Sequence, residues 1–268
     1  MLILGGTGEA LALAWALDAA FAGRLRLVSS LAGRTRSPRQ PPGEVRIGGF
    51  GGAGPLADWL RGHRIDAVID ATHPFASAIS ANAAAACDDA GVPRLVLERA
   101  PWLARPGDRW HDVADAAHAA ALLPSLGRRA FLTLGPRDLA PFGARAGIWF
   151  LVRQVDPPAA PPLAGCAVIT GRGPFEAAAE RRLLLEHTID VLVTRASGGA
   201  ATVAKLDAAR ELGLPVVMIR RPPPPPGPRV ASMDDAVAWA ARQCGLDTDG
   251  EFAHMIGAGV MAADTKRW

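Results

Sequence analysis

Short apolar runs recur along the chain, each followed by a glycine-rich or polar turn and then by an alanine-rich stretch. The runs at 2–4, 25–29, 44–47, 65–69 and 94–97 predict strands, and the stretches at 8–21, 56–61 and 76–90 predict the helices between them. A second series follows, with a helix at 112–123, strands at 130–134, 148–152, 167–170, 189–194 and 215–219, and helices at 175–186, 200–212 and 234–244. This alternation predicts an α/β fold of parallel sheets with helices on both faces.

The proline- and glycine-rich stretch at 100–110 divides the series, so the expected domains are 1–103 and 104–245, with a tail at 246–268 to which the pattern assigns no role. Two proline-rich stretches, DPPAAPPL (156–163) and PPPPP (222–226), read as stiff connectors.

The chain has 268 residues, half of them hydrophobic, enough for one large or two modest cores. No apolar run reaches the ~20 residues a bilayer needs, and the amino terminus runs into a strand rather than a leader, so the expected setting is the cytoplasm. Cys87, Cys166 and Cys244 are too few and too far apart for a disulfide framework or a zinc site, and the scattered histidines predict no metal. The net charge of +3 does not indicate nucleic-acid binding, but it suits an anionic small substrate. The chain contains no tyrosine, which excludes enzymes that need a tyrosine acid, including those built on a Tyr-x-x-x-Lys pair.

GGTGEA (5–10) lies in the first strand–helix turn. Small residues there let the backbone approach a pyrophosphate, and the helix amino terminus offers N–H groups and a favourable dipole. Gly5, Gly6, Thr7 and Gly8 are therefore candidate dinucleotide ligands, and Glu9 either faces a ribose or is a first-turn acid. An NAD site commonly places an acid at the end of the second strand. SSLAGRTR (29–36) has none; it offers Ser29, Ser30, Arg34 and Arg36, and this favours NADP, whose 2′-phosphate an arginine binds bidentately. The plainer reading of that segment is a solvated basic loop.

DATHPFA (70–76) joins a strand to a helix. Pro74 suits the first helical position, with Thr72 or His73 as cap. That account leaves Asp70 unexplained, and in a doubly wound sheet this loop lies by the nicotinamide half of a dinucleotide. Asp70 and His73 are thus candidate catalytic groups, Thr72 a candidate cofactor contact, and His73 also a candidate partner for a substrate carboxylate.

TGRGPF (170–175) and TRASGG (194–199) repeat the design as anion cradles, with Arg172, Gly173, Arg195, Ser197, Gly198 and Gly199 as candidate contacts. Lys205 either joins them or is a solvated helix residue. Two basic loops in one half point to a ligand with several acidic groups. The alternative for each is a plain α/β turn.

In their order, GGTGEA, DATHPFA, FLTLGPRDLAPF, WFLVRQVDPP, TGRGPF, TRASGGAATVAKLDAARELGLPVV and IRRP make the chain resemble the precorrin-6A reductase family of cobalamin biosynthesis, over nearly its whole length to about residue 222. The chain departs from the family pattern at Leu134–Gly135 and at Arg195–Ala196. The resemblance implies two Rossmann-like domains with the active site in the cleft between them, and NADPH-dependent reduction of one ring double bond of the anionic tetrapyrrole-derived macrocycle precorrin-6A to precorrin-6B, without a metal or flavin. Reduction of the cobalt-loaded macrocycle is the rival reaction. A non-catalytic NADP-binding sensor is the rival of another class; it would need the first glycine loop but neither TGRGPF nor TRASGG.

Overall fold

The computed structural model describes residues 1–33 and 39–246. Each predicted run becomes a strand of one of two six-stranded sheets, and every strand pairing is parallel.

The first unit comprises Met1–Glu98 and, of the described residues, Pro222–Leu246. Its elements are β1 (Leu2–Leu4), α1 (Gly8–Phe21), β2 (Val28–Leu31), β3 (Glu44–Ile47), α2 (Ala53–Gly62), β4 (Val68–Asp70), α3 (Ser77–Ala90) and β5 (Arg94–Leu97). The last two elements of the chain, which return to this unit, are β12 (Arg229–Val230) and α7 (Met233–Gln243). The strand order is β3-β2-β1-β4-β5-β12. This is the doubly wound order of dinucleotide-binding folds, with its reversal between β1 and β4. β1 and β4 are buried at every position because both sheet faces are covered, so β1 reads as a continuous apolar run and β4 is apolar up to Asp70. On one face Leu13 and Leu17 of α1 pack with Ala236, Val237 and Ala240 of α7 against Ile3 and Ile69. On the other face Leu56 and Leu60 of α2 and Ala83 of α3 pack against Leu2, Leu4 and Val68. Each such leucine contributes about 1.5–3 kcal/mol by leaving water.

The second unit, Arg99–Arg221, contains β6 (Arg109–Val113), α4 (Ala116–Leu122), β7 (Arg129–Thr133), β8 (Trp149–Gln154), β9 (Ala167–Thr170), α5 (Ala177–Glu186), β10 (Val191–Arg195), α6 (Ala204–Glu211) and β11 (Pro215–Ile219). Its order, β9-β8-β7-β10-β11-β6, repeats that of the first sheet, and its reversal lies between β7 and β10. Phe131, Leu151, Leu184, Leu192 and Leu206 form the core beneath α5 and α6.

The observed layout differs from the sequence expectation in several places; β2, for instance, lies at Val28–Leu31 rather than at 25–29. The segment expected as one helix at 112–123 is split: 109–113 pairs with β11 as a strand, and Asp115 then caps α4 by accepting the His118 N–H at 2.9 Å. The chain after the proline run was expected with the second domain, whereas β12 pairs with β5 and α7 packs on α1. α3 starts at Ser77, one residue from the start expected at 76, and Pro74, offered as its first helical position, lies before it. No helix among the described residues is long and apolar enough to cross a membrane.

Candidate active site

The loops that follow β1 and β4 meet at the reversal of the first sheet. Thr7 caps α1 by accepting the Ala10 N–H at 3.0 Å, and the same hydroxyl donates to the Ala71 carbonyl at 2.8 Å. One side chain thereby joins GGTGEA to DATHPFA. Gly5 anchors the turn through its N–H to Ser30 O at 2.9 Å. Gly6 has φ +99°, and a Cβ at Gly6 or Gly8 would meet nothing within 4 Å, so the turn presents bare backbone to open space. Glu9 stands half-buried in the first turn of α1.

Register places Arg46, Ser30, Leu4 and Asp70 in one row at the carboxyl ends of β3, β2, β1 and β4. In-register side chains share a face, here the one covered by α2 and α3, since Leu4 packs there. Asp70 is buried, and its Oδ1 accepts both the Thr72 N–H (3.1 Å) and the Thr72 hydroxyl (2.7 Å). Its Oδ2 is buried without a hydrogen-bond partner, as is Ser29 Oγ on the opposite face. Thr72 Oγ1 also lies 3.2 Å from Ser80 Oγ.

Neither Thr72 nor His73 caps α3. The N-cap position is Ala76, no side chain bonds there, and a turn closed by Ala76 N–H to His73 O (2.7 Å) precedes the helix. Instead His73 Nδ1 accepts the Phe75 N–H at 3.2 Å. The neutral ring therefore carries its proton on Nε2. Arg34 and Arg36 lie outside the described residues.

The second sheet joins its own reversal loops in a similar way. Arg195, at the end of β10, forms an ion pair with Asp138 in the loop after β7, close against Gly135. Its charge is thus partly met within the protein. TGRGPF meets the end of TRASGG: Phe175 N–H bonds Ala201 O at 3.2 Å, and a Cβ on Gly173 would stand 2.7 Å from that oxygen. Gly198 packs on the Ala100 carbonyl and the Arg221 guanidinium, and the Gly199 carbonyl accepts Trp102 Nε1 at 2.8 Å. Arg172 is exposed and Ser197 buried.

Lys205 is buried rather than solvated. Its Nζ lies 5.1 Å over the Trp102 ring. Burial, with the Arg153 charge adding to it and Glu180 opposing it, lowers its pKa to about 7. The Arg153–Glu180 pair beside it was absent from the sequence expectation, as were Trp102, Asp138 and Arg46. Only the strand alternation that turns Arg153 toward a helix hinted at any of them.

The description "Precorrin-6x reductase CbiJ/CobK" belongs to the family whose sequence profile matches residues 1–241. The chain belongs to this family. A precorrin-6A reductase of Rhodococcus erythropolis is 55% identical over 244 residues, 89% of this chain and 96% of that protein. A cobalt-precorrin-6A reductase of Salmonella typhimurium is 30% identical over 234 residues, 84% and 88% of the two chains. A solved structure, "CobK precorrin-6A reductase", is 45% identical and superposes with a TM-score of 0.85 over 90% of this chain and 96% of its own.

Precorrin-6x reductases need a hydride donor, and the first unit of this member presents the features that suit one: the reversed strand order, the bare turn at Gly6 and Gly8, and the capped amino terminus of α1. The second unit, described by itself, carries the basic loops around Arg172 and Arg195 and the buried Lys205.

Proposed function

We propose that the chain is an NADPH-dependent reductase of precorrin-6A, adding hydride to one carbon of a ring double bond of the anionic macrocycle and giving precorrin-6B. The observation that carries this reading is the bond from the Thr7 hydroxyl to the Ala71 carbonyl, which sets the bare glycine turn beside Asp70–His73 at the reversal of the first sheet. The relative that is 55% identical over nearly the whole chain names the substrate class.

The residues present fit the dinucleotide. A Cβ at Gly6 or Gly8 would stand in open space above the turn, where the backbone can approach a pyrophosphate. When bound, NADPH supplies the hydride. The amides of Gly6–Glu9, at the amino terminus of α1, would hold its phosphates, and Glu9, Ser29, Ser30 and Thr72 would border its riboses. Asp70 fixes Thr72 and with it the loop that carries His73. His73 donates from Nε2 to a substrate carboxylate and holds the macrocycle against the donor. In the second unit, Arg172, Arg195, Lys205 and the backbone at Gly173 and Ser197–Gly199 suit acetate and propionate groups of such a macrocycle. The conjugated macrocycle is already electrophilic, so orientation supplies most of the rate and water supplies the proton to the neighbouring carbon.

The test is anaerobic NADPH oxidation with freshly prepared precorrin-6A, with NADH and cobalt-precorrin-6A in parallel. Stoichiometric NADPH loss with reduction of the metal-free macrocycle is expected. Turnover of the cobalt form alone overturns the substrate, and NADPH binding with no turnover of either macrocycle points to a sensor. The metal-free substrate is favoured because identity is 55% to the precorrin-6A reductase and 30% to the cobalt-precorrin-6A reductase.

A further inference from the structure

A second glycine-rich turn, GGFGG (48–52), follows β3, and the pattern of expected cradles did not include it. Gly48, Gly51 and Gly52 have φ of +114°, +89° and +134°, and a Cβ at Gly48 or Gly49 would meet nothing within 4 Å. In the middle of this bare turn stands Phe50. One edge-on contact with Trp59, at 5.4 Å between ring centroids, braces it, and the Arg46 guanidinium stacks on its face at 3.7 Å.

Arg46 is not left to wave in solvent. Its terminal nitrogens donate to Gly48 O at 2.5 Å and Gly49 O at 2.7 Å, and one of them lies 3.5 Å from Ser30 Oγ. A guanidinium has five N–H donors. Two carbonyls and a weak contact to a hydroxyl leave donors to spare, in a planar group already ordered by the Phe50 ring. No acidic side chain is among the described partners of Arg46. Among the described residues the cation is thus held by carbonyls and an aromatic face rather than by a carboxylate. Ser30 is buried at the carboxyl end of β2, in register with Arg46 on one side and Leu4 on the other. This is the strand end where a doubly wound fold reads the adenosine ribose.

We propose that Arg46, braced by Phe50 and acting with the Ser30 hydroxyl, recognises the 2′-phosphate of NADPH and sets the preference of this chain for NADPH over NADH. The assignment rests on the NADPH reading above. It places the selecting charge on β3 rather than on the loop after β2. A phosphate dianion takes charge-assisted bonds from the unused guanidinium donors and from Ser30, whereas the 2′-hydroxyl of NADH offers no charge to meet.

The test is titration of NADPH and NADH, separately, into the purified full-length chain by calorimetry, for the wild type, Arg46→Gln, Arg46→Lys and the double variant Arg34→Ala/Arg36→Ala. The expected result is that Arg46→Gln weakens NADPH binding by about 10–100-fold, the range for loss of a charged hydrogen-bonding partner, and leaves NADH binding within about 2-fold. Arg46→Lys keeps the charge and part of the preference. Equal weakening of both dinucleotides by Arg46→Gln, or weakening of neither, overturns the assignment, and so does transfer of the whole preference to the Arg34→Ala/Arg36→Ala variant. A wild type that binds neither dinucleotide overturns the cofactor reading itself, which separates the two failures. Thermal melting of each variant without nucleotide guards against misfolding: if Arg46→Gln melts well below the wild type, the Arg46→Lys preference ratio decides, and a ratio unchanged from wild type overturns the assignment.

Discussion

Arg153 donates from both terminal nitrogens to both carboxylate oxygens of Glu180, at 2.9 and 2.7 Å, with the Glu180 side chain only 3% exposed. The guanidinium also lies over the Phe175 ring at 4.1 Å and the Phe131 ring at 4.9 Å. This pair ties β8 to α5 beneath the TGRGPF loop. Its worth lies in completeness, because either charge alone would be stranded in a poorly solvated place.

Removal of one partner is therefore expensive. Glu180→Ala should destabilise the folded chain by about 3–5 kcal/mol, as for other buried pairs broken on one side. Replacing both, Arg153→Met with Glu180→Leu, should recover most of that loss. Urea denaturation of the three variants checks this. A loss under about 1 kcal/mol in Glu180→Ala would mean that the pair behaves like a solvated surface bridge.

Lys205 gives the chain a pH dependence of stability with a definite sign. Its ordinary pKa of 10.5 applies to the unfolded chain, and burial lowers it to about 7 in the folded one. Between these values the unfolded state binds the proton and the folded state does not, so stability rises with pH across that window. The destabilising contribution is full below about 7 and gone above about 10.5. The slope approaches one proton, about 1.4 kcal/mol per pH unit. Lys205→Met should remove this contribution and be more stable than the wild type at pH 6. Denaturation midpoints from pH 6 to 10 measure it; an unchanged slope in Lys205→Met would assign the dependence to other groups.

Much of the architecture is legible in the sequence because it rests on local signals. The apolar runs and the glycine turns locate β1, β4, β7 and β10 and the loops at both reversals. What escapes is what depends on distant partners. The polar strand RWHDV becomes β6 only by pairing with β11, and the two-residue β12 exists only because β5 offers an edge. The partner of Arg195 is Asp138, which no spacing rule links to it. Nor does the sequence distinguish a glycine that faces open space from one that packs on a carbonyl.

That distinction predicts opposite outcomes for two similar substitutions. Gly198→Ala forces a φ of +66° on alanine and drives its Cβ into the Ala100 carbonyl and Arg221, so it should lower stability sharply. Gly6→Ala has room within 4 Å but keeps φ at +99°, so strain alone should cost about 1–3 kcal/mol. Its larger effect should fall on NADPH, whose phosphates the new methyl group would obstruct. Paired melting curves and NADPH titrations decide the matter; if Gly6→Ala binds NADPH as the wild type does, the turn is not the phosphate cradle.

His73 separates the two accounts of its loop. It caps no helix, and the Phe75 N–H fixes its Nδ1 as an acceptor, so a purely structural role predicts that His73→Ala changes stability and leaves kinetics alone. A role in holding a substrate carboxylate predicts a KM for precorrin-6A raised about 10-fold, the loss expected from one charge-assisted hydrogen bond, with kcat falling less. Gln in place of His73 carries an amide N–H at similar reach and should restore part of the lost affinity. Steady-state kinetics under anaerobic conditions, with melting temperatures alongside, read both. Wild-type KM and kcat in His73→Ala would leave the histidine with no part in the reaction, and Asp70 would then act on the loop through Thr72 alone.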